Sequence, residues 1–137
     1  MKTKTDNGTI DGLIVLSTSK GTLLIPAGQI IRIQSLSNYS KLFFNDGKTL
    51  VVAKVLCWFE EQHCLCSFVR VHRSHLVNIV YIKSYKAGSL LLHNGEMIAV
   101  AKRKKACLLK RLNSLNNSFH LKPVSAVVFN NEKILAA

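Results

Sequence analysis

The cations and imidazoles of this chain gather into a few groups, and the residue types in each limit the chemistry open to it. Arg70, His72, Arg73 and His75 lie inside the string FVRVHRSHLVNIVYI, residues 68–82. Lys102, Arg103, Lys104 and Lys105 are consecutive, with Lys110 and Arg111 just beyond, and Asn38, Tyr39, Ser40 and Lys41 form a polar turn with one base. Arginine and lysine neutralise phosphates, and arginine also reads a guanine edge bidentately. An isolated KRKK run does no more than solvate a helix end. Here two basic groups occur in a chain with 19 Lys and Arg against 7 Asp and Glu, a formal net charge of +12 that draws polyanions to the surface.

Acid-base catalysis needs paired titratable groups whose environments split their pKa values. The acids are Asp6, Asp11, Asp46, Glu60, Glu61, Glu96 and Glu132. Six fall at the tail, in turns, at a strand start or on an exposed helix face, and none is set in an apolar run facing a histidine. No phosphate-cradling glycine loop, G-x-S-x-G or H-E-x-x-H string occurs. The expectation is a protein that is not an enzyme, with no cofactor and no small-molecule substrate. Structural zinc favours ligand pairs such as C-x2-C with a second pair downstream. Of Cys57, Cys64, Cys66 and Cys107 only Cys64 and Cys66 are close, as C-x-C beside His63, so buried or half-buried thiols are expected and no metal site.

The elements that must position these groups are mostly short β segments. GLIVLST (12–18), TLLIPAG (22–28), IIRIQSLSN (30–38), YSKLFF (39–44) and TLVVAK (49–54) are divided by Lys20-Gly21 and by Asn45-Asp46-Gly47-Lys48. Such segments, rich in β-branched and aromatic residues and separated by turn residues, predict antiparallel strands and hairpins. From 53 to 63 the period changes. AKVLCWFEEQH puts Val55, Leu56, Trp58 and Phe59 on one face at helical spacing, a short amphipathic helix with Trp58 and Phe59 as core anchors. IKSYKAG (82–88), SLLLHNG (89–95) and EMIAVA (96–101) predict further strands, the last two joined at Asn94-Gly95, and the apolar residues of 102–115 predict a terminal helix.

Residues 1–11 are expected to be a tail, 12–115 one domain, and 116–137 an extension with at most one strand, at AVVFNN. No apolar run approaches the roughly 20 residues of a membrane span, and the N-terminus lacks a signal-peptide core. The expected location is the cytoplasm, with no membrane partner.

Within FVRVHRSHLVNIVYI a clean strand cannot continue past His72, because alternation then sends Arg73 to the side of Val69 and Val71. The chain must turn outward there, exposing Arg73, before Leu76, Val77 and Ile79 return it to the core. His72 and Asn78 flank the excursion and are suited to tie off backbone groups left unpaired by the loop.

These residues resemble the LytTR DNA-binding domain, a family found in bacterial transcriptional regulators of the LytR and AgrA type. The string F-x-R-x-H-R-S-x-x-V-N is its signature, and 30–54, 55–63 and 89–105 resemble its strand-turn-strand, its helix and its final hairpin with a basic segment. The resemblance covers about residues 12–113. It implies an elongated, mainly β fold of about ten strands in three small antiparallel sheets, with one short helix and a second helix allowed at the C-terminal end. It further implies a response-regulator-like, sequence-specific transcriptional regulator that binds double-stranded DNA at paired direct repeats, by loops rather than a recognition helix, as a homodimer or side-by-side pair. Carried over residue by residue, the base contacts fall on Ser40, Arg73 and Lys102. Phosphate or secondary contacts fall on Tyr39, Lys41, His75, Arg103, Lys104 and Lys105, with Arg70, His72 and Asn78 supporting the motif loop. The rival reading is a basic RNA-binding or protein-interaction module on a β scaffold.

Overall fold

A computed structural model describes residues 12–119, whose ten strands lie in three antiparallel sheets as the resemblance implies. They form two compact units divided between Ile82 and Lys83. The expected tail at 1–11 and the expected strand at AVVFNN lie outside the described residues.

In the first unit, β1 (Leu13–Thr18) and β2 (Gly21–Pro26) form a hairpin in full register from Leu13 opposite Pro26 to Thr18 opposite Gly21. A five-stranded sheet follows, built from β3 (Ile30–Leu36), β4 (Tyr39–Phe44), β5 (Thr49–Val52), β6 (Phe68–His72) and β7 (His75–Asn78) in the order β5-β4-β3-β7-β6. The period-two pattern decides its faces. Ile33, Leu42, Phe68 and Leu76 join Ile14, Leu16 and Ile25 of the hairpin in one apolar core. Burying such side chains stabilises by about 1.5–3 kcal/mol each, as an upper estimate.

Helix α1 (Leu56–Glu60) seals that core with Leu56 and Phe59, Trp58 packing against it edge-to-face with Phe59. The helix is shorter than the predicted 53–63. Val55, expected on its apolar face, is instead the extended residue before its first turn and is 47% exposed. A 3-10 turn at His63–Leu65 then inserts Leu65 into the core. The thiols also depart from expectation, because Cys57, Cys66 and Cys107 are exposed and only Cys64 is half-buried. Five-residue α1 has too little apolar face to cover Cys57 along with Leu56 and Phe59.

The second unit holds β8 (Ile82–Lys86) from Lys83 onward, β9 (Ser89–Leu92) and β10 (Met97–Ala99), in the order β10-β9-β8, followed by α2 (Lys102–Phe119), which runs past the predicted 115. Leu90, Leu92, Ile98 and Leu108 are buried. Two turns repeat one device. Asn45-Asp46-Gly47 and His93-Asn94-Gly95 are each closed by a backbone bond pair across the loop, and Asp46 and Asn94 each accept the backbone N–H two residues on. The last residue of such a three-residue hairpin loop is left-handed, which suits Gly47 (φ 90°) and Gly95 (φ 94°).

Candidate nucleic-acid interface

The register of the five-stranded sheet gathers the candidates of the first unit at one end. Ser35 on β3 lies opposite Ser40 on β4, which lies opposite Val52 on β5, while Gln34 pairs with His75 on β7 and His75 with His72 on β6. The β3–β4 turn at Ser37-Asn38, the β6–β7 turn at Arg73-Ser74 and the exit from β5 toward Lys54 therefore share a single rim. A bond of 2.9 Å from the Ser35 N–H to the Ser74 carbonyl ties the two turns together.

At the Arg73 turn the side chain of Arg73 is exposed while its backbone is held from several sides. Arg70 Nε donates to the His72 carbonyl at 3.0 Å and Nη2 to the Arg73 carbonyl at 2.7 Å, while Nη1 is ion-paired with Glu60 of α1. The Ser74 N–H donates to Nδ1 of His72 at 3.2 Å, with the Ser74 hydroxyl 2.9 Å from the same nitrogen. Half-buried His75 sets its ring 5.5 Å from that of His72. At the far end of the hairpin, buried Asn78 donates to the Ile30 carbonyl at 3.0 Å, and its Oδ1 accepts from the Ser67 hydroxyl at 3.1 Å and the Val80 N–H at 3.3 Å. Arg70, His72 and Asn78 thus each satisfy backbone groups of this segment or of its neighbour β3.

The first turn differs from expectation in one residue. Ser40 is fully buried and its hydroxyl donates to the Lys54 carbonyl, so the assignment of Ser40 as a base contact is corrected. Alternation along β4 sends Ser40 inward with Leu42 and leaves Tyr39, 52% exposed, and half-buried Lys41 facing out. Ser37 takes a φ of 57°, a left-handed conformation that strains a serine and holds the tip of this turn. On the outward face Lys41 lies 5.2 Å from the Phe43 ring and Arg32 3.7 Å from it, with Arg32 Nη1 bonded to Gln34 at 3.0 Å.

In the second unit α2 opens with Lys102, Arg103 and Lys105 exposed and Lys104 half-buried, and no acidic residue lies in its first turn. Cations at a helix N-terminus oppose the macrodipole, so an anion there relieves both charge crowding and unpaired N–H groups.

Lys54, Glu60 and Ser74 were absent from the sequence-derived candidates. Lys54 is half-buried at the rim with its ammonium 4.9 Å from the Trp58 ring. Strand direction was the missed signal, since β5 must end where the β3–β4 turn lies. Among the described residues no group of three or more His, Cys, Asp or Glu is placed to hold a metal, and no helix is long and apolar enough to cross a membrane. Burial pushes the Cys64 thiol up, its own backbone bond pulling the other way and neighbouring Cys66 adding to the rise.

A family model of the LytTr DNA-binding domain matches residues 20–113. Among solved structures the chain is similar to the LytTr DNA-binding domain of a protein from Bacillus cereus described as a methyl-accepting/DNA response regulator. The two are 24% identical with a TM-score of 0.61, over 74% of this chain and 96% of that one. No curated protein matches the chain.

Proposed function

The chain belongs to the LytTr DNA-binding domain family, and from that premise we propose that it regulates transcription by binding double-stranded DNA sequence-specifically at short direct repeats, its loops inserted into successive major grooves. The carrying observation is the Arg73 turn, where an exposed guanidinium springs from a backbone clamped by Arg70 and His72. A flexible cation suffices for phosphate, whereas reading a guanine edge needs a fixed origin for the side chain.

In this reading Arg73 contacts a base, with Tyr39, Lys41 and Lys54 alongside it on the same rim. Lys102 is the second base contact, and Arg103, Lys104 and Lys105 neutralise phosphates. Two copies sit side by side on paired repeats, in the bacterial cytoplasm. Selection from a random duplex library at fixed salt tests the proposal. An enriched direct repeat is the expected result. Enrichment of no duplex, together with tighter binding to structured RNA, overturns it in favour of an RNA-binding module.

A further inference from the structure

We propose that Glu60 is a positioning residue for base reading by Arg73, an inference that rests on the DNA-binding reading above. Arg73-Ser74 is a two-residue hairpin turn, yet neither residue has a positive φ. Tight hairpins normally use turns with left-handed residues because those match the twist of paired strands. Here the register shifts between Arg70 and His72 instead, and side chains hold the turn's shape.

Arg70 is the main brace. Its planar fork presents N–H groups in fixed directions, so engaging Nη1 with Glu60 sets the angle at which Nε and Nη2 meet the carbonyls of His72 and Arg73. Glu60 ends α1, which Leu56 and Phe59 anchor in the core. The carboxylate therefore fixes the turn relative to the core.

It also has a second effect. Arg70 sits three residues from the reading Arg73 and is 23% exposed. Without its counter-charge it becomes a mobile cation able to take a phosphate of any sequence. Loss of Glu60 thus frees the origin of Arg73, which lowers specificity, and adds an indiscriminate contact, which raises affinity for every duplex alike.

The test compares the full chain with Glu60→Gln, Arg73→Ala and the double variant. Each is titrated against the duplex that the unaltered chain enriches and against a length-matched random duplex, over a range of salt. Glu60→Gln keeps the size and removes the charge. It is expected to lower the cognate-to-random affinity ratio about threefold to tenfold, and to steepen the salt dependence on random DNA by about one unit of log-log slope. In the Arg73→Ala background it is expected to leave the ratio unchanged. Glu60→Ala shifts the same ratio in the same direction and provides the second variant.

A Glu60→Gln ratio equal to that of the unaltered chain overturns the proposal alone. So does an equal fall with and without Arg73, since it marks a merely structural role. If the unaltered chain itself fails to discriminate any duplex, the DNA-reading proposal falls and this one with it.

Discussion

The Arg73 turn and the first turn of α2 both present arginine or lysine to solvent, but their surroundings are opposites. Around Arg73 the backbone carbonyls are held by Arg70, the Ser74 N–H by His72, and the brace itself by Glu60. Lys102 is followed by further cations at the positive end of a helix dipole, with no acid in the first turn. The first arrangement aims one charge, which suits discrimination. The second crowds charge beside Lys102, where Arg103, Lys104 and Lys105 suit salt-dependent attraction to any phosphate. On the proposed reading, specificity rests most on the braced turn and affinity most on the helix start.

The largest blow to this contrast comes from Asn78→Ala, which strips the Ile30 carbonyl and the Ser67 hydroxyl of a buried partner. A loss of about 2–4 kcal/mol in unfolding free energy is expected from denaturant titration. A variant of normal stability that no longer binds DNA contradicts the bracing role. Next, Arg73→Ala should weaken cognate binding by about 1–3 kcal/mol and relax preference at one base pair. Equal weakening on random duplex reduces Arg73 to a phosphate contact and erases the distinction between the two regions.

Ser40→Ala sharpens the comparison within the rim. It removes the bond to the Lys54 carbonyl, so stability should fall by about 1 kcal/mol while sequence preference stays as it was. A changed base preference restores Ser40 as a reader. The smallest effect belongs to Lys105→Ala, expected to lower the log-log salt slope by about one unit with equal loss on cognate and random DNA. An unchanged slope takes Lys105 out of the interface.

Much of the fold was legible because its signals are local. The turns at Asn45-Gly47 and Asn94-Gly95, the alternation of β3 and β4, and the outward excursion at Arg73 all follow from residues within a few positions of one another. The limits of α1 were not, since its short span depends on how much core remains for Leu56 and Phe59 to fill. The thiols escaped for the same reason, as cysteine's average burial says nothing about a particular helix face.

Sequence alone determined that the chain is a basic, mainly β protein whose cations gather into a few groups. The tertiary structure decided which polar residues face out. Ser40 turns inward because its hydroxyl meets a carbonyl 14 positions away, Glu60 reaches Arg70 across 10 positions, and Asn78 reaches Ile30 across 48. Alternation gives a strand two faces, but only its pairing register and the elements packed on it choose which face meets solvent.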